Sequence, residues 1–279
     1  MASLLALLSS ILWGAADFYG GKLSKRYQAI AVTAVSQAFG LLTGVIIILV
    51  SSSWLKPSLA WDNYFISGVL AGLFGFIGLI AFYSGLATGR MGVVSPIASL
   101  SVLIPLTIAL ISGEEPSTIQ IIGMSIALFG AVCASGPEFK GGFAARPILL
   151  AVVAAIGFGF AVTFIAKGSS SSAIMTMTSM RFTTFIIAIF LFLRFRTLGG
   201  FTKKDLPVLV LVGGADFIAN LLLGVATTKG LISLAVVLGS LFPIVTALLA
   251  FKLLHERLHK VQYLGIAFAI MGVTLISLG

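Results

Sequence analysis

Apolar residues run along this chain in ten long blocks, near 3–21, 29–50, 64–86, 91–111, 117–135, 147–166, 173–193, 206–227, 231–253 and 261–278, with polar residues gathered in the gaps. Each block is roughly 18 residues or more, so as a helix rising about 1.5 Å per residue it crosses a ~30 Å hydrocarbon layer. A transmembrane β-barrel would show short alternating segments instead. The pattern predicts an all-α membrane protein with ten transmembrane helices.

Composition supports this reading: 59% of residues are apolar and 9% charged, with a mean hydropathy of +1.18, values that no soluble domain of this length approaches. The first block is expected to be a retained helix, because Lys22, Lys25 and Arg26 follow it and no basic stretch precedes it, as a cleaved leader would require. The single cysteine, Cys133, lies inside the fifth block, so neither a disulfide framework, a metal site nor a cofactor is expected.

The net charge is +9, but the basic residues sit in short loops, where membrane topology explains them better than a nucleic-acid partner does. Thirteen fall in the loops after the odd-numbered blocks, against Lys56, Lys167 and Lys229 in the even loops. Basic loops stay cytoplasmic, so both termini are expected outside the cytoplasm, with Trp54 and Trp61 in an outer interfacial belt.

The two halves of the chain resemble each other. GLATGRMGVVSPIASLSVLIP (85–105) lies over GVATTKGLISLAVVLGSLFP (224–243) with one gap, and IQIIGMSIALFGAV (119–132) lies over VQYLGIAFAIMGVT (261–274). At the front ends, Gly14 lies over Gly159 and Lys22 over Lys167. This alignment pairs Pro105 with Pro243, Gln120 with Gln262, Gly123 with Gly265 and Gly130 with Gly272. Each half, 1–136 and 137–279, thus holds five blocks, and an odd number inserts the second half upside down relative to the first, a plan common in secondary transporters. The polar segment GPEFKGGFAARP (136–147) joins the halves.

ILWG at 11–14, Arg181 in the second helix of a repeat, the prolines Pro105 and Pro243, and HERL at 255–258 followed by Gln262 and Gly265 give the chain a resemblance to the drug/metabolite transporter superfamily, specifically its ten-helix EamA-type members. The resemblance covers the whole chain. It implies two inverted five-helix repeats around a central cavity lined by helices 1, 3, 4, 6, 8 and 9, with helices 5 and 10 at the periphery, and transport of small metabolites. Familiar members keep their termini in the cytoplasm and carry basic residues after helices 2 and 4, whereas here those loops read SSSWLKPSLAWDN and SGEEPS.

Two aspartates interrupt the hydrocarbon pattern. Asp17 shares a helical face with Ser10, Trp13, Gly20 and Ser24; Asp216, near the bilayer midplane, shares one with Gly213, Asn220, Gly224 and Thr227. An aspartate at a helix centre costs about 2.5–3.5 kcal/mol on insertion scales, so each should face a cavity, a partner or a bound ion. The alignment sets Asp17 over Val162 and Asp216 over Ile77, and a purely architectural acid would more easily recur in both halves. Asp216 with Asn220 is the stronger binding candidate, while Asp17, five residues from Lys22, belongs to the cavity or its mouth.

Arg181, opposite Gln37 in the repeat, could clamp a carboxylate or phosphate, though structural pairing with an acid or backbone carbonyls is favoured. Glu114 and Glu256 occupy matched segment ends and are expected to cap helices. Trp13, Tyr83, Ser95, Ser99 and Ser240 are further candidates for the cavity wall because the resemblance places them on cavity helices. Pro96, Pro105 and Pro243 each break a backbone bond and are candidate hinges.

No nucleophile–base arrangement and no phosphate-binding loop occurs, so neither an enzyme nor direct use of ATP is expected. The expected function is secondary active transport of a small polar metabolite, such as an amino acid or amine, by alternating access, with protons as the candidate coupling ion. The alternative is an uncoupled facilitator or channel-like pore. The expected setting is a bacterial or archaeal cytoplasmic membrane, with the lipid bilayer and a small-molecule substrate as partners and a monomer or homodimer as the working unit.

Overall fold

The structure is a computed structural model that describes residues 1–61, 63–89, 91–134, 145–195, 199–254 and 259–279. The joining segment up to residue 144, Glu256 and the HERL element lie outside the described residues. Every regular element described is helical: α1 (Ala2–Ser24), α2 (Ala29–Ser51), α3 (Tyr64–Thr88), α4 (Met91–Ser99), α5 (Leu103–Ile111), α6 (Thr118–Ala134), α7 (Ala145–Phe195), α8 (Leu206–Lys229), α9 (Ile232–Gly239), α10 (Phe242–Leu254) and α11 (Lys260–Leu278). Among the described residues eight continuous helical stretches are long and apolar enough to cross a membrane, and α6 is a shorter apolar helix of 17 residues.

The 51 residues of α7 would extend roughly 76 Å if straight, far beyond a bilayer crossing. The run breaks at Ser172, whose φ of −167° and ψ of 112° are extended rather than helical. Its hydroxyl accepts from the Met175 amide at 3.4 Å, as a helix N-cap does, so Ser172 starts a second arm. The cause is local: GSSSS at 168–172 offers hydroxyls that compete with the helical ladder, and Ser170 donates back to the Lys167 carbonyl at 2.6 Å.

The two halves are related by reciprocal contacts. On α6 and α11, a Cβ added at Gly123 would meet the Gly272 carbonyl at 2.9 Å, and one at Gly265 would meet the Gly130 carbonyl at 2.7 Å. Likewise Gly130 lies against Ala269 and Gly272 against Ala127. Early residues of one helix meet late residues of the other throughout, so the pair is antiparallel and its backbones touch where glycine leaves room. Both helices open with the same device: the Gln120 and Gln262 side chains accept from the backbone amides of Ser117 and His259, each at 2.9 Å. That explains why the two glutamines recur.

In the fourth and ninth apolar blocks the helix breaks midway. A 3₁₀ turn over Leu100–Val102 separates α4 from α5, and Ser240 and Leu241 separate α9 from α10. Ser99 and Ser240 occupy equivalent places at the two breaks, donating to the carbonyls three residues earlier, Pro96 at 2.8 Å and Val237 at 2.7 Å. Gly14 rests on Val245 and the Phe242 carbonyl, as Gly159 rests on Ile104 and the Ser101 carbonyl, which fixes the same register.

This register corrects the sequence alignment of these segments. The counterpart of Pro243 is Val102 and that of Pro105 is Thr246. Each proline lies in the first turn after its break, where a missing amide hydrogen breaks no helical bond, so a proline satisfies the chain at more than one position there. Gly213 packs on the Ser36 carbonyl as Gly72 packs on the Met180 carbonyl. The counterpart of Asp216 is therefore Gly75, which faces the interior, rather than Ile77, which is 55% exposed.

Candidate functional site

Where the broken helices face α1, α3, α7 and α8, a cavity of about 80 Å³ lies between the two halves. Its polar wall consists of Trp13 and Asp17 from α1, Gln37 from α2, Ser101 at the first break, Arg181 from the second arm of α7, Asp216 and Asn220 from α8, and Ser240 at the second break. Leu79, Phe158, Ile165, Met180, Leu223 and Phe242 are among the residues that supply the apolar remainder.

Asp216 is fully engaged. Its Oδ1 accepts from the Trp13 indole at 3.1 Å and from Asn220 Nδ2 at 3.0 Å. Its Oδ2 accepts from Gln37 Nε2 and from Arg181 Nη2, both at 2.9 Å, the latter an ion pair. Arg181 Nη1 donates in turn to Gln37 Oε1. The side chain of Arg181 is 2% exposed and that of Asp216 is 14% exposed, so the pair is withdrawn from solvent but open to the cavity on the aspartate side. The i, i+4 spacing of Asp216 and Asn220 lets both join one network from a single helix, and Asn220 also donates to the Asp216 carbonyl at 2.6 Å.

Asp17 differs. It is 9% exposed and lines the same cavity, yet its carboxylate accepts no hydrogen bond and forms no ion pair among the described residues. The Asp216–Arg181 pair is neutral, so an ionised Asp17 leaves the cavity with one uncompensated negative charge. Such a group needs a proton, a cation or water to be tolerated at this depth.

Of the remaining predicted wall residues, Ser240 lines the cavity, whereas Ser99 and Ser95 are buried and do not line it. Tyr83 is 1% exposed and packs over Gly20, where an added Cβ would meet its hydroxyl at 2.2 Å. Pro105 is on the wall; Pro96 lies inside α4 and Pro243 in the first turn of α10. The wall also departs from what the family resemblance implied, since α2 and the second arm of α7 contribute Gln37 and Arg181. Gln37 stood in the sequence only as the repeat partner of Arg181. An amide in the middle of an apolar block was the signal that it needed a partner.

Polar contacts brace both ends. Glu114 accepts from the backbone amides of Ile232 at 2.6 Å and Ser233 at 2.9 Å, capping α9 of the second half from a turn in the first, where a carboxylate meets the positive end of the helix dipole. At the opposite end Asp205 accepts from the Tyr27 hydroxyl at 2.7 Å, the Thr202 hydroxyl at 2.6 Å and amide at 3.0 Å, and Arg26 at 3.3 Å. Those hydrogen bonds, led by the ones from Thr202 and Tyr27, lower the Asp205 pKa to about 2. Lys167 lies over the Trp61 ring at 4.1 Å, a cation–π contact between the turn near Ser172 and the α2–α3 connection.

Helices long and apolar enough to span a bilayer, folded as two related halves around a polar-walled cavity, define a polytopic membrane transporter. The model of the EamA-like transporter family matches residues 1–136 and 145–278, and the chain belongs to that family, within the drug/metabolite transporter superfamily. No curated protein matches the sequence. A solved crystal structure that is 19% identical superposes with a TM-score of 0.80, covering 99% of this chain and 96% of that one, which shows the shared fold.

Proposed function

We propose that the protein is a secondary active transporter for a small cationic or amine-bearing metabolite, working by alternating access between two inverted five-helix repeats, 1–136 and 137–279. In this reading the two arms of α7 are separate spans, α4 with α5 and α9 with α10 are one broken span each, and α6 is the fifth, giving ten crossings. The working unit is one chain or a homodimer, since both repeats lie in a single polypeptide. The bias of basic residues supports termini outside the cytoplasm of a bacterial or archaeal cell.

The observation that carries the proposal is the difference between the two cavity acids. Asp216 is neutralised by Arg181 and held by Trp13, Gln37 and Asn220, whereas Asp17 has no hydrogen-bond or ion-pair partner among the described residues. An ammonium group entering the cavity meets one unpaired carboxylate, and a proton competes for the same oxygen atoms, which is the requirement for exchange. The interrupted helices support movement, because each break removes ladder hydrogen bonds where the backbone borders a cavity.

A thermal-shift screen of the purified protein against amines, amino acids, nucleosides and sugar phosphates identifies the ligand class. Stabilisation by amines and amino acids, lost in Asp17→Asn, is the expected result; stabilisation only by sugar phosphates would contradict it. Counterflow in proteoliposomes separates a carrier from a facilitator, because only the carrier shows trans-stimulation.

A further inference from the structure

A second cavity, of about 410 Å³, opens on the lipid-facing side between α2 and the second arm of α7. Its walls include Gln28, Ala34, Ala38 and Phe39 on α2 and Phe185 and Phe192 on α7. The groove exists because small alanines leave space beside the larger side chains of the two helices unfilled, while the aromatic rings supply apolar sides.

Its length and position select the occupant. From Gln28 to Phe39 the groove runs roughly 16 Å along α2, close to half of a ~30 Å hydrocarbon core. The inner end lies beside the buried Gln37–Arg181 contact, and the outer end reaches the start of α2. Beyond the groove, α2 exposes large side chains such as Leu42, Ile46 and Leu49. A partner helix spanning the membrane would find a channel for only half its length, whereas an acyl chain of one leaflet fits it end to end.

The outer end is basic. Tyr27 and Phe201 pack ring to ring at 4.7 Å, and Gly199 closes on Ala31, tying the chain after α7 to the start of α2. Lys203 and Lys204 follow on that tied segment, and Lys25 precedes α2; all three are exposed. Asp205, the acid of this cluster, is already engaged by Arg26.

We propose that this groove is a site for an anionic phospholipid, with one acyl chain between α2 and α7 and the phosphate at the Lys25, Lys203 and Lys204 end. Native mass spectrometry of the detergent-purified protein, titrated with phosphatidylglycerol or phosphatidylcholine of identical chains, tests it. Phosphatidylglycerol should be retained about tenfold or more over phosphatidylcholine, the gain from two or three lysines near a headgroup of net negative charge, which the choline ammonium cancels. The triple variant Lys25→Gln, Lys203→Gln, Lys204→Gln should abolish that preference, and Ala34→Phe with Ala38→Phe should displace the lipid.

A photoreactive acyl chain on phosphatidylglycerol gives a test in the unmodified protein, with crosslinks expected in 28–39 and 185–192. Equal retention of both lipids, crosslinks confined to other helices, or occupation of the groove by a second copy of the chain would each overturn the proposal. None of these outcomes bears on transport through the central cavity, so the two readings fail independently.

Discussion

Gln37 and Arg181 hold equivalent positions in the two halves of the chain and hydrogen-bond to each other. The contact thus joins the halves at the point about which they are related, and it leads directly to Asp216, which both side chains contact. One arginine in place of a second glutamine supplies the positive charge that a buried aspartate on the neighbouring helix requires. The asymmetry of the cavity starts from this pair.

Removing the arginine leaves Asp216 without its counter-ion. Arg181→Ala should destabilise the protein by about 3–5 kcal/mol, the usual cost of stranding one member of a buried pair. The double variant Arg181→Met, Asp216→Asn should recover part of that loss, because it removes both charges together and keeps a side-chain oxygen for the Trp13 and Asn220 donors. Unfolding titrations of the single and double variants measure the coupling, and additive losses would mean that the pair does not act as a unit.

Adjacent glycines on α8 give a sharper steric test. A Cβ at Gly213 would stand 1.9 Å from the Ser36 carbonyl, whereas one at Gly214 would meet, among the described residues, Thr43 Oγ1 at an ordinary 3.6 Å. Gly213→Ala should cost about 1–3 kcal/mol or more by forcing α2 and α8 apart. Gly214→Ala should be neutral, or stabilising by up to about 1 kcal/mol through helix propensity. Thermal melts of both variants check the contrast, and equal effects would contradict the packing described.

Asp205 ties the α1–α2 turn to the start of α8, and its carboxyl is held down at about 2 against an ordinary 3.8. A depressed carboxyl stabilises the fold above its unfolded pKa and loses that contribution as pH falls through the folded one. The Tm difference between the wild type and Asp205→Asn should therefore be constant above pH about 4 and shrink toward zero as pH approaches about 2. A difference that persists unchanged down to that pH would show that the charge of Asp205 contributes nothing.

Much of this arrangement was legible in the residues. Continuous apolar blocks marked the membrane helices, matched Gly123, Gly130, Gly265 and Gly272 marked the repeat though not that the two helices carrying them meet, and the Asp216–Asn220 spacing placed both on one face. Glu114 was readable as a cap because it ends its segment, although which helix it caps was not. The register of the broken helices was misread because Pro105 and Pro243 drew the alignment, whereas hydroxyl bonds at Ser99 and Ser240 mark the true correspondence. Nor could helical spacing reveal that Trp13, Gln37 and Arg181 converge on Asp216 and leave Asp17 alone. A periodic pattern says which face a residue occupies, but only packing decides which faces meet.

The difference between the two acids is tested most directly by counterflow in proteoliposomes, using the ligand found by thermal-shift screening. Asp17→Asn should fold with at least wild-type stability, since no partner among the described residues is lost, and should abolish trans-stimulated exchange together with its pH dependence. Unchanged exchange with an unchanged pH profile in Asp17→Asn would contradict the assignment of the unpaired carboxylate as the group that binds substrate and proton.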